Sequence, residues 1–354
     1  MTPLVAVGVL ASVLASWGVL TLVRPILRGR MVWAAVAAAA ATIAVTTAAG
    51  LIAAVAPASF LVGLGVFTLP VLILLETAAA ASGADRFARW LLMLVWGLVV
   101  FPAALIVPLL VTRDCADAGC GFVDFGGALP LLASAAAFVL LAWLPAGVHE
   151  HAPAMDARAS HRAILAIAAV WLAFAVWLAH LEGVIDAYIP RIMLAAAVGP
   201  AAAALGWLIV DRLREVRRPV TRSLGLGLVA GIAATLPGAV SVGMPWSPIV
   251  GALAGALGAL VFSTAAASRA GLASRWGLAV LVATAVGFLA PAISGEAVGV
   301  LFTARWAGLS APVLAFVGVT LFAMLVSAPV WVLVRRHATR ERIPAEILDG
   351  PGDA

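Results

Sequence analysis

The sequence predicts an all-α integral membrane protein of about eleven transmembrane helices, N-terminus outside and C-terminus in the cytoplasm. Three observations carry that reading. Apolar residues make up 65% of the 354-residue chain and charged residues only 10%, with a mean hydropathy of +1.17. A soluble domain carries roughly 25% charged residues, so this chain cannot cover a wet surface. Residues 31–57 and 223–268 contain no charge, and a spanning helix needs only ~20 apolar residues to cross ~30 Å of hydrocarbon. Finally, the arginines fall on one side of the predicted bundle.

Charges and turn residues cut the chain into apolar segments at about 3–23, 31–55, 58–81, 90–111, 125–146, 163–182, 188–210, 223–243, 246–267, 276–294 and 309–334. The first follows Met1-Thr2-Pro3 and has no basic region before it, so it reads as a spanning helix and not as a cleaved leader. Two cuts lack charge and rest on turn residues, Ala56-Pro57 and Gly243-Met244-Pro245. Continuous apolar runs exclude the alternating pattern of a membrane barrel, which leaves helices as the spanning structure. The polar stretches 147–162, 211–222 and 335–354 are each too short to bury a core. The expected organisation is one membrane domain over 1–334 and a cytoplasmic tail over 335–354.

All 21 basic residues are arginine. With the first loop cytoplasmic, 18 of the 21 lie inside, and only Arg113, Arg191 and Arg305 lie outside. That bias obeys the positive-inside rule and accounts for the net charge of +5 without nucleic acid. A lysine-free, alanine-rich chain also has the composition of a GC-rich bacterial coding sequence, which implies a bacterial plasma membrane.

Few residues could carry chemistry. Cys115 and Cys120 share a short predicted outer loop, which favours a disulfide over two free thiols. Two cysteines do not complete a tetrahedral metal site. His149-Glu150-His151 reads as a solvated inner loop before it reads as a metal site. Glu76 lies within the third span, where an ionisable group is costly unless paired, and Arg86 or Arg89 could pair it. Asp124, in Val123-Asp124-Phe125-Gly126-Gly127, stands where it can cap the fifth span. Prolines 70, 102, 108, 130, 200, 237 and 248 interrupt spans, and the stretch Gly251 to Gly258 permits close helix contact. No nucleotide loop, catalytic triad or zinc spacing occurs, so no cofactor and no enzyme activity is expected.

Read in order, the segments resemble the ammonium transporter/Rhesus-type channel family over nearly all of residues 5–330. The resemblance rests on Ser16-Trp17-Gly18 through Arg28-Gly29-Arg30, on Phe87-Ala88-Arg89-Trp90 with Phe101-Pro102, and on Val123-Asp124-Phe125-Gly126-Gly127. It continues through Trp171 to Leu181, Gly225 to Gly231, and Met244-Pro245-Trp246-Ser247-Pro248. It implies two inverted five-helix halves, about 3–146 and 163–294, strapped by an eleventh helix at about 309–334. It also implies a homotrimer in the lipid bilayer with one pore per subunit, and a cytoplasmic nitrogen-regulatory protein as a candidate partner.

The departures from the family are specific. Its two pore histidines correspond to Leu131 and to Arg275 or Trp276, and no histidine occurs between His180 and His337. Its outer-site tryptophan and serine correspond to Pro108 and Leu181. Its paired gate phenylalanines correspond to Trp177 and to a position near Gly65 or Phe67, while the vestibule aspartate is kept as Asp124. The pore path expected from this correspondence runs past Leu181, Trp177, Phe67, Leu131 and Arg275 or Trp276. An imidazole can relay a proton or hydrogen-bond a desolvated amine, and leucine can do neither. The resemblance therefore implies a channel for ammonium, ammonia or another small, mostly neutral solute. A non-conducting relative acting as a sensor or assembly subunit is the alternative, and an unrelated permease the third reading.

Overall fold

The computed structural model of the chain describes residues 3–23, 31–82, 84–113, 123–143, 157–216, 218–264, 271–296 and 298–340. Cys115, Cys120, His149, His151, Arg24, Arg28 and Arg30 lie outside the described residues. Among those described, the structure is helical, with a single isolated antiparallel bridge between Val242 and Gly295.

The helices are α1 (Pro3–Val23), α2 (Met31–Ile52), α3 (Ala58–Val66), α4 (Thr68–Ala81), α5 (Arg86–Val95), α6 (Phe101–Arg113) and α7 (Ser134–Leu140). They continue as α8 (Ala157–Leu181), α9 (Tyr188–Leu213), α10 (Val220–Thr235), α11 (Trp246–Ser263), α12 (Leu272–Ser294), the short α13 (Val300–Thr303) and α14 (Ser310–Arg340). Among the described residues, eight helical segments are long and apolar enough to cross a membrane; Ala6–Leu22, Leu129–Leu140 and Val220–Thr235 are shorter apolar helices. Large apolar side chains such as Leu10, Leu172, Leu253, Leu314 and Leu325 stand exposed on the bundle's flank. A water-soluble monomer would not leave so much apolar surface uncovered, whereas lipid covers it without cost.

Proline sets most of the irregularities. Pro70 has no N–H, and its ring crowds the carbonyl four residues back, that of Val66. The third apolar segment accordingly breaks at Phe67 into α3 and α4. Pro102 acts similarly on the fourth segment, where a π-turn over Trp96–Val100 lets the Phe101 N–H reach back five residues to Trp96 O. A second π-turn, Leu129–Ala133, surrounds Pro130 and leads into α7.

The expected span 223–243 departs from a straight helix. α10 stops at Thr235, and residues 236–242 turn around Pro237. Their carbonyls are used elsewhere: Gly126 N–H donates to Leu236 O at 3.0 Å and Phe125 N–H to Pro237 O at 3.1 Å. The glycine turn before the fifth segment therefore docks on the broken end of α10.

Close packing comes from small residues at four-residue spacing. Gly227 and Gly231 of α10 and Gly251 and Gly255 of α11 all meet the backbone of α9 between Gly199 and Ala204. A Cβ on Gly255 would stand 2.0 Å from Ala203 O, and one on Gly251 2.1 Å from Gly199 O. In lipid, where no hydrophobic force drives helices together, such backbone approach supplies the contact. α14, 31 residues long, lies against α5, α7 and the turns beside them. Its Trp331 indole donates to Phe138 O at 2.8 Å.

Two charged pairs pin helix ends. Arg89 donates to Glu76 Oε1 at 2.9 Å, so of the two expected partners Arg89 is the one that pairs. Asp211, 2% exposed, accepts from Arg218 through both oxygens and from the Ser223 hydroxyl at 2.7 Å, which ties α9 to α10.

Candidate functional site

The break at Phe67 builds the centre of the site. Three carbonyls at the end of α3 lose or loosen their helical partners there, and each is capped by a side chain. Val66 O accepts from the Ser12 hydroxyl of α1, Gly65 O from the Thr68 hydroxyl, and Gly63 O from the Trp177 indole N–H at 2.8 Å. The last bond fixes Trp177, which is fully buried on α8. Phe67 and Trp177 consequently stack, ring centroids 4.0 Å apart and planes inclined by 16°. Phe174, one turn earlier on α8, packs against Trp177 at 6.5 Å.

Below Phe67 opens a cavity of about 350 Å³ walled by α1, α4, α8, α10 and α12. Its surface is almost wholly apolar: Val19, Val71, Ile167, Val229 and Leu132 are typical, with the Trp276 ring on one wall. Thr221 and Arg222, at the start of α10, are the polar residues of its far end.

The sequence-derived path residues are distributed unevenly around this space. Phe67 and Trp276 line the cavity, and Trp177 stacks behind Phe67. Leu131 does not line it; it is 1% exposed, and its neighbour Leu132 faces the cavity. The π-turn over Leu129–Ala133 shifts the side-chain register here, which a count along a regular helix does not anticipate. Arg275 also turns away, donating to Phe262 O through Nε at 3.0 Å and Nη2 at 2.9 Å, with its guanidinium 4.6 Å from the Phe262 ring centre. Arg218 covers that ring too, at 4.8 Å. Leu181 is buried against Gly63 and does not line the cavity.

Asp124 belongs to the turn that docks on α10. Its Oδ1 accepts from Ala128 N–H at 2.6 Å and its Oδ2 from Leu129 N–H at 3.0 Å. Gly127 in the same turn has φ +65°, a conformation that a side chain would strain.

Sequence reasoning missed three contributors. Ser12 and Gly63, which hold the break, give no local signal: one is a serine inside an apolar run and the other is one of 33 glycines. His180, one turn beyond Trp177, is the third: it is 7% exposed, its ring edge lies against Gly8 and Gly63, and its Nδ1 has no hydrogen-bond partner. Among the described residues no group of three histidine, cysteine, aspartate or glutamate side chains could hold a metal.

No protein-family model matches the chain, and no curated protein sequence matches it. Solved structures do. Mep2 of Candida albicans superposes with a TM-score of 0.74 at 16% identity, covering 93% of this chain and 83% of that one. Mep2 of Saccharomyces cerevisiae gives 0.71 at 16%, covering 96% and 85%. Rh50 of Nitrosomonas europaea, described with a mechanism of conduction by the Rhesus protein family of channels, gives 0.61 at 16%, covering 94% and 87%. The chain has the fold of these membrane proteins over nearly its whole length.

Proposed function

We propose that the chain is a divergent ammonium transporter/Rhesus-type channel that passes ammonia or another small, mostly neutral solute. The observation that carries this reading is the Phe67–Trp177 stack, held across a helix break and standing at the head of a cavity. Such a stack excludes water and hydrated ions while leaving two rings that need only tilt to admit a small molecule.

In this reading the three shorter apolar helices also cross, giving eleven spans. The arginine bias sets the N-terminus outside and the C-terminus in the cytoplasm, so that Arg222 marks the cytoplasmic end of the cavity. The segments form two inverted halves strapped by α14, assembled as a homotrimer in a bacterial plasma membrane. A cytoplasmic nitrogen-regulatory protein is the partner such a channel would take.

The apolar wall decides the permeant form. A bare ammonium ion there would lose its water and gain no partner, a penalty of several kcal/mol, whereas ammonia carries no charge to desolvate. The same observation supports a second reading, a non-conducting sensor or assembly subunit, since the rings touch and no imidazole lies beneath them. Proteoliposomes given an inward ammonium gradient distinguish the two. Conduction alkalinises the interior faster than in protein-free vesicles; an identical rate in both supports the second reading.

A further inference from the structure

We propose that the cavity beneath Phe67 is a binding site for a small uncharged aromatic molecule, roughly two fused rings in size. The size argument comes first. An apolar cavity of about 150 Å³ stays dry and takes up benzene, while one water occupies only about 30 Å³ of liquid. At about 350 Å³, the space beneath Phe67 is far larger than ammonia needs to pass.

The cavity is partly open, so water can enter it, but water gains little along its apolar walls. A buried water needs two to four polar partners, and the walls at Val19, Val71, Ile167 and Val229 offer none. A charged ligand is excluded from the depth for the same reason. A neutral apolar molecule would instead recover the dispersion contacts that an open void forfeits. Two ring systems, Phe67 and Trp276, lie on the lining and favour an aryl group, which can stack or meet them edge-on. Phe67 lines the cavity and Trp177 does not, so the occupant touches the stack from the Phe67 side and closes the path beneath it. The proposal rests on the channel reading only for that last consequence.

The test uses the full chain in phosphatidylcholine nanodiscs, photolabelled with 1-azidonaphthalene and mapped by peptide mass spectrometry, with excess naphthalene as competitor. Label is expected on the peptides carrying Val229 and Trp276, and naphthalene should displace it. Gly225→Leu fills the cavity without striking backbone, because a Cβ there meets only Ile167, at 3.4 Å. It should lower displaceable labelling by about tenfold. Ala163→Leu, on the α8 wall, repeats the test if Gly225→Leu is not monodisperse. Label confined to lipid-facing helices, for example around Leu314 and Leu325, overturns the proposal. So does cavity label that neither naphthalene nor both fillings reduce, or cavity crosslinks from a phospholipid acyl-chain diazirine that naphthalene cannot displace. Labelling needs no flux, so displaceable label without conduction removes the channel reading and keeps the site, and conduction without label does the reverse.

Discussion

Phe67 lies nearly flat on Trp177, 4.0 Å between ring centres, and the Trp177 indole is anchored to Gly63 O in the same helix that Phe67 terminates. One half of the stack therefore fixes the other through three residues of backbone. Removing the anchor and removing the ring should have different consequences. Trp177→Phe keeps an aromatic face but leaves a buried carbonyl unpaired, at about 1–3 kcal/mol, read as a lower unfolding temperature. Phe67→Ala removes the ring that caps the cavity, and ammonium-driven alkalinisation of proteoliposomes should accelerate over wild type. An unchanged rate would show that the stack is not the barrier.

Asp124 is expected to act on stability. It accepts from two backbone N–H groups at the start of the fifth segment, in the turn that docks on Leu236 and Pro237. Asp124→Ala should cost about 0.5–2 kcal/mol as a lost cap. Asp124→Asn retains an acceptor and should cost less. Thermal unfolding of the purified variants in one detergent ranks them, and equal stability of both with wild type would refute the role.

Asp211 and Arg218 form a pair with side-chain exposures of 3% and 10%. Asp211→Ala strands the Arg218 guanidinium and the Ser223 hydroxyl at the junction of α9 and α10. Breaking a buried pair by removing one partner costs about 3–5 kcal/mol. The double variant Asp211→Ala/Arg218→Met should be more stable than Asp211→Ala alone, since no unpaired charge remains; chemical denaturation of both measures the difference.

Two glycines make a matched comparison. A Cβ on Gly255 would collide with the Ala203 carbonyl of α9, and backbone cannot move aside as a side chain does. Gly255→Ala should destabilise by about 1–3 kcal/mol. Gly318 in α14 has nothing within 4 Å, so Gly318→Ala should be neutral or gain up to about 1 kcal/mol of helix propensity. Unfolding temperatures that fail to separate these variants would contradict the packing described.

Much of the frame is legible in the sequence because membrane helices are a local property: hydropathy and length set the apolar segments, and the described helices fall on them. Asp124 is legible for the same reason, since a cap acts over four or five residues. Phe67 is half legible. Homology-like counting leaves it level with Gly65, whereas Pro70 and its clash four residues back select the break at Phe67. Leu131 shows the limit of counting, because a π-turn moves the facing side chain to Leu132. The turn away of Arg275 and the cavity itself are not legible. The first depends on Phe262, at the end of the preceding helix, and the second on five separate helices, and no local pattern encodes where those meet.

The central claim is that the permeant species is uncharged. Proteoliposomes on a solid-supported membrane, with a pH-sensitive dye inside, report current and internal pH under one ammonium gradient. The apolar cavity and the lack of histidine between His180 and His337 predict accelerated alkalinisation with no ammonium-dependent current. A sustained current that scales with ammonium and vanishes in protein-free vesicles would contradict it.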